Sequence, residues 1–259
     1  MKRVAAAIVG IVGLLMVAAP SAQATLLDLT TVGASGFIGT AFFQQVDPSS
    51  TGSGVIDPFV RIKGKSVVEG YNTDGRPTAF DENSSPVFTH SLLVSDVPIV
   101  NIGGIDYREF LLDNNQRRRR PLLSLDELQI YLNATDGALT TTTLASLGTL
   151  IYDLDAIEES RIELDYSLNH GSGSGDMFAY IPDSLFTGSD TQFVYFYSKF
   201  GVNNRNNDGF EEWAVLGAPC EGQDCPEPPP PFIPEPTSLY LMGTGLLGAL
   251  GAGRWRKRV

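Results

Sequence analysis

The sequence predicts an all-β body, a two-sheet antiparallel β-sandwich of jelly-roll type, set between an N-terminal signal peptide and a single C-terminal apolar helix. Three observations carry this expectation. From Thr25 to about Pro219 no long stretch keeps a 3.6-residue apolar period. Short β-branched and aromatic runs recur there instead, bounded by strong turn formers. The composition is also turn-rich, with 27 Gly and 16 Pro against 19% charged residues.

The chain opens with Met1-Lys2-Arg3, an apolar run over 4–19, and Pro20-Ser21-Ala22-Gln23-Ala24. A positive start, a short apolar core and a small-x-small site (Ala22, Ala24) make a secretory signal, with cleavage predicted between Ala24 and Thr25. Residues 1–24 are thus the signal peptide and 25–218 the body.

Candidate strands in the body are 36–45, 59–62, 66–71, 87–94, 99–102, 107–114, 125–132, 150–154, 160–169, 177–181, 192–200 and 210–216. Between them stand Asp47-Pro48, Ser53-Gly54, Asp57-Pro58, Asp74-Gly75, Asp136-Gly137 and Asp208-Gly209 as predicted turns. The run Gln192-Phe193-Val194-Tyr195-Phe196-Tyr197-Ser198-Lys199-Phe200 reads as a central strand, because both of its faces are apolar or aromatic. Arg161-Ile162-Glu163-Leu164-Asp165-Tyr166-Ser167-Leu168 alternates, so it should show one face to water. At 125–132, Ser124 and Glu127 could form a helical capping box, but Leu128, Ile130 and Leu132 favour a strand.

Residues 219–233 form a Pro-rich linker that favours extended polyproline II. It contains Cys220 and Cys225, which an oxidising compartment would close into a small disulfide loop. Residues 234–259 then give Pro234-Glu235-Pro236, an apolar run over 239–253, and Arg254-Trp255-Arg256-Lys257-Arg258. At about 1.5 Å per residue this run falls just short of a hydrocarbon core about 30 Å thick, so it is a marginal membrane helix. The basic end should stay cytoplasmic.

This tail resembles the PEP-CTERM sorting signal of Gram-negative bacteria that make extracellular polysaccharide, with Pro234, Glu235 and Pro236 as the motif, then the span and the Arg-rich end. The resemblance implies recognition and processing by an exosortase. It also implies tethering to the inner membrane before processing, and a cell-surface or extracellular destination afterwards. Three body segments, 107–113, 125–131 and 173–177, are similar to bodies carried by such tails, a likeness that implies no activity.

Charge narrows the partners. The formal net charge is −12; loss of Lys2 and Arg3 with the signal takes it to −14, and loss of four more basic residues with the tail takes it to −18. Such a body repels phosphate backbones, which argues against nucleic acid as a partner.

No catalytic set stands out. His90 sits in a strand-like run and His170 opens Gly171-Ser172-Gly173-Ser174-Gly175, which puts Gly where a nucleophile elbow needs Ser. The carboxylate pairs Glu158-Glu159 and Glu211-Glu212 are adjacent residues, which point to opposite faces on a strand, and Asp153/Asp155 reads as surface chemistry. Calcium is the sharper expectation: Asn204, Asn206 and Asp208 alternate before Gly209, although Asn204 and Val215 depart from the EF-hand pattern at its first and twelfth positions. Asp153, Asp155 and Asp176 are a second candidate set, and no other cofactor is expected. Arg117, Arg118, Arg119 and Arg120 read as a solvated hairpin tip, with contact to an anionic polysaccharide as the alternative.

The sequence therefore predicts a non-enzymatic surface or matrix protein. Its expected partners are the export machinery, an exosortase, the inner membrane and extracellular polysaccharide. The competing expectation is a secreted carbohydrate-binding module or polysaccharide-active enzyme.

Overall fold

The computed structural model describes residues 25–46, 56–169, 175–207 and 209–216. The expected signal peptide, the expected disulfide pair Cys220 and Cys225, the Pro-rich linker, the Pro234-Glu235-Pro236 motif, the expected tail helix, His170 and Asp208 lie outside these residues.

Sixteen strands are described, with three single 3-10 turns between them. In chain order they are β1 (Thr25–Asp28), β2 (Ser35–Ile38), β3 (Ala41–Gln45), β4 (Ile56–Ile62), β5 (Lys65–Ser66), β6 (Val68–Tyr71), β7 (Leu92–Leu93) and β8 (Ile99–Ile102). They continue as β9 (Ile105–Asn114), β10 (Leu122–Asn133), β11 (Thr149–Asp153), β12 (Ser160–Asp165), β13 (Met177–Pro182), β14 (Phe193–Phe200), β15 (Asn206–Asn207) and β16 (Glu211–Leu216).

One seven-stranded sheet runs β1-β12-β10-β14-β6, with β11 beside β10 and β7 beside β14. The other runs β2-β3-β13-β9-β16-β4, with β8 beside β9. A two-stranded ribbon pairs β15 with β5. Pairing is antiparallel throughout except between β1 and β12, which run parallel, in departure from the wholly antiparallel expectation. A parallel neighbour requires a long crossover, and here the crossover is most of the body.

The two large sheets share one apolar core. Phe196 of β14 lies 4.7 Å from Phe110 of β9 and 4.6 Å from Trp213 of β16, centroid to centroid. Trp213 is fully buried, and its Nε1 donates to Ser198 Oγ at 3.0 Å, a hydrogen bond that joins the sheets through the core. Side chains of this size each contribute roughly 1.5–3 kcal/mol by burial.

Local sequence explains most elements. β12 alternates buried Ile162 and Leu164 with half-buried Arg161, Glu163 and Asp165. β14 lies between β10 and β6 and is covered on both faces. In β10, Leu123 and Leu125 face the core, then the register with β14 shifts between Leu125 and Glu127, and Leu128, Ile130 and Leu132 resume the core face. The 125-to-128 spacing that imitates a helix is therefore a β-bulge. Asp126 pins it by accepting Ser124 Oγ at 2.8 Å and the Val202 N–H at 2.7 Å. The Gly103-Gly104 turn joining β8 to β9 has φ of +63° and +89°, the paired positive angles of a tight hairpin turn.

Two expectations are corrected. Asp57-Pro58 is not a turn but lies within β4, an edge strand where a residue without N–H is tolerated, beside a register shift at Trp213 and Ala214. The 87–94 segment is mostly turn: the N–H groups of Phe88 and Thr89 both donate to Ser85 O at 3.0 Å, and only Leu92 and Leu93 pair as a strand. The Arg61 guanidinium, 3.4 Å from the Phe88 ring centroid, holds this turn down.

Outside the shared core, each large sheet carries a second apolar layer. On the first sheet a row of Tyr71, Tyr131, Tyr195 and Tyr197 is strapped by the loop after β10. Leu139 N–H donates to Tyr195 Oη at 2.9 Å, and that hydroxyl donates to Asp136 O at 2.9 Å. On the second sheet Phe42, Tyr107, Leu111, Phe178 and Tyr180 cluster. Glu109 sits among them at 6% exposure, beside Tyr180, and burial lifts its carboxyl to about 7.

Candidate anion-binding cleft

The connection from β9 to β10 carries four consecutive arginines, and the structure folds them into a tight turn. Arg120 N–H donates to Arg117 O at 2.8 Å. Crowding like charges this closely is unfavourable, so the turn needs anchoring. Asn207 of β15 supplies it: its Oδ1 accepts the Arg117 N–H at 2.8 Å and its Nδ2 donates to Arg120 O at 2.6 Å.

This clamp bolts the arginine turn to the β5–β15 ribbon, which brings Lys65 and Arg205 to the same rim. Between them opens a cleft of about 850 Å³, lined by Lys65, Ser66, Arg117, Arg119, Arg120 and Arg205 with the polar ribbon residues. Arg119, Arg120 and Arg205 are exposed, and none forms an ion pair with another described residue. Ser66 holds φ at +76°, a conformation that non-glycine residues adopt rarely, where the backbone passes Gly201.

The floor is rigid because its polar groups are paired. Glu211 of β16 is fully buried, and its two carboxyl oxygens accept Gln116 Nε2 and Asn206 Nδ2, each at 2.8 Å. Burial pushes this carboxyl well above the usual carboxylate range. Ser124 completes the support, with its Oγ accepting the Asn204 N–H at 2.9 Å. A permanently charged, fork-shaped set of donors on a fixed floor is suited to carboxylate, sulfate or phosphate groups.

Two of the residues expected to bind calcium fall along this cleft. Asn204 and Asn206 line it, but the Asn206 amide reaches inward to Gln116 and Glu211. Among the described residues no three His, Cys, Asp or Glu side chains converge as metal ligands. Asp153 and Asp155 cap a turn: Asp153 Oδ1 accepts the Asp155 N–H at 2.9 Å, and Asp155 Oδ1 accepts the Ser160 N–H at 2.6 Å. Asp176 is nearly fully buried, at the end of β13.

The other chemical candidates are dispersed. Both ring nitrogens of His90 face backbone carbonyls, Ser91 O at 2.8 Å and Pro58 O at 3.0 Å. Glu211 points inward while Glu212 pairs with Arg61, so the two adjacent carboxyls diverge. Glu158 accepts the hydroxyl of Thr25, the residue predicted to follow the signal cleavage. What sequence reading missed is the joining of Lys65 and Arg205 to the arginine run. The signal for it was thin, since nothing local in either segment marks the two-residue β5–β15 pairing.

No family model, curated protein or solved structure matches the chain.

Proposed function

We propose that this chain is an exported cell-surface or extracellular-matrix protein whose non-catalytic, jelly-roll-like β-sandwich body holds an anionic polysaccharide in the basic cleft. The observation that carries the reading is the cleft itself: Arg119, Arg120 and Arg205 converge, exposed and without a carboxylate partner among the described residues, in a chain of net charge −12. In so acidic a protein a locally cationic site is a concentrated attraction for a polyanion, because screening over about 8–10 Å hides more distant acidic groups. Export by the signal peptide, inner-membrane tethering by the tail and exosortase processing complete the proposal. They rest on the sequence of the two ends.

Affinity electrophoresis of the full chain through gels containing polygalacturonate or neutral dextran tests the binding. Retardation by the uronic-acid polymer, lost in 0.5 M NaCl and in the triple variant Arg119→Ser/Arg120→Ser/Arg205→Ser, is expected. Equal mobility in both gels, or a triple variant retarded like the parent, would sink it. For the sorting part, intact mass of protein recovered from the host surface should lack the Arg-rich terminus.

A further inference from the structure

A second polar cluster lies where β9 and β13 end, apart from the cleft. Asp176 precedes β13; its backbone N–H donates to Leu112 O at 2.7 Å and its carbonyl accepts the Val46 N–H at 3.0 Å. Its Oδ2 accepts the Asn114 N–H at 2.7 Å, which places the carboxylate against β9. Asn169 closes the other side, with Nδ2 donating to Val46 O at 2.8 Å and to Gly175 O at 2.7 Å.

All of these side chains are inaccessible to solvent: Asn114 is 0% exposed, Asp113 1%, Asn169 2% and Asp176 4%. Yet Asp176 Oδ1, Asn169 Oδ1 and both amide atoms of Asn114 have no hydrogen-bond partner. A buried polar atom without a partner costs roughly 1–3 kcal/mol, and more for a charged group. Asp176 and Asn169, which meet at the Val46 backbone, therefore need a common explanation.

We propose that Asp176, Asn169 and the neighbouring Asp113 form a binding site for one calcium ion. The donor set is oxygen from two carboxylates and an amide, which suits a hard cation and is unsuited to zinc or copper. Calcium takes about 6–8 oxygens, so backbone carbonyls and water complete the shell. Bound there, the ion would tie the segment after β12 to β3, β9 and β13. The site is distinct from Asn204, Asn206 and Asp208, and it does not depend on polysaccharide binding.

The test is calorimetric titration of the EGTA-stripped full chain, in mild detergent, with calcium chloride and with magnesium chloride, alongside thermal melts. One calcium per chain is expected, with a Kd of about 0.1–1 mM, as for extracellular modules. At a Kd near 0.1 mM, 10 mM calcium should raise Tm by about 5–10 °C. Asp176→Asn, nearly isosteric, should weaken calcium binding at least tenfold and melt no lower than the parent in EGTA. Asn169→Ser is the second variant, expected to weaken binding while keeping the parent's far-UV spectrum. Asn206→Ala should bind like the parent. The inference is overturned by absence of calcium heat and Tm shift, by an equal response to magnesium, or by undiminished binding in Asp176→Asn. Loss of binding in Asn206→Ala with retention in Asp176→Asn would move the ion to the cleft and overturn it too.

Discussion

Glu109→Gln should make the protein more stable at pH 8 and leave it unchanged at pH 4.5. Glu109 lies in the apolar layer on the second sheet, 6% exposed beside Tyr180, and burial raises its pKa from 4.5 to about 7. An acid whose folded pKa lies above its unfolded value keeps a proton that the unfolded chain has already lost. Between pH 4.5 and 7 the native state thus binds more protons, so stability falls as pH rises through that window. Above it the full penalty is present, about 3 kcal/mol at 1.36 kcal/mol per pKa unit. Gln cannot ionise and retains the shape. For a body of this size 1 kcal/mol corresponds to about 2–4 °C, so the variant should gain about 6–12 °C at pH 8. Melts of both proteins by circular dichroism at pH 4.5, 6 and 8 give the answer. The parent's own slope also contains Asp176 and Glu211, whose carboxyls are likewise raised by burial, so the difference between the two proteins is the quantity to read. A constant offset at all three pH values, or a less stable variant at pH 8, would refute the reasoning.

Three further outcomes follow from the packing. Arg108→Met should lower stability by about 2–4 kcal/mol in urea melts, because Arg108 donates to Val94 O at 2.7 Å, Val97 O at 2.9 Å and Asp183 Oδ1 at 2.7 Å while buried. Ser198→Ala should cost about 1–3 kcal/mol by stranding the Trp213 indole N–H in the core, whereas Ser198→Thr should cost less if the hydroxyl is kept; equal losses would show that the hydrogen bond is irrelevant. Tyr195→Phe should accelerate amide hydrogen exchange at Leu139, whose N–H donates to the lost hydroxyl, while leaving β10 amides protected; unchanged exchange at Leu139 would contradict the strap.

The parts of the fold that were legible in sequence are those where one strand decides its own pattern. β12 alternates and shows a wetter face, and β14 is apolar on both faces and central, because side-chain period alone carries that information. The ambiguous stretch at 125–132 was ambiguous for a physical reason: a bulge adds one residue, which converts a two-residue period into a three-residue step that imitates a helix. Asp57-Pro58 misled because local turn propensity is overridden at a sheet edge. β1 was missed because a four-residue strand pairing parallel with β12 leaves no turn signal between them. The cleft was half legible. The arginine run is plain in the chain, but its meeting with Lys65 and Arg205 depends on long-range pairing of the β5–β15 ribbon. The polar cluster around Asp176 was seen as one acid, since the amides of Asn114 and Asn169 carry no charge to attract notice.

The parallel pairing of β1 has a topological consequence for the export proposed above. Thr25 is already a strand residue: its N–H donates to Glu159 O at 2.9 Å, and its register partner is Ser160. A cut before Thr25 would therefore release an α-amino group with no slack ahead of the fold, sewn beside a strand more than a hundred residues away. On the proposed export route, the first residues of the body would have nothing to pair with until that strand emerged on the far side of the membrane. If export runs as proposed, the order of events is built into the wiring: complete translocation first, closure of this edge afterwards, and a leading end held in the sheet from that moment on.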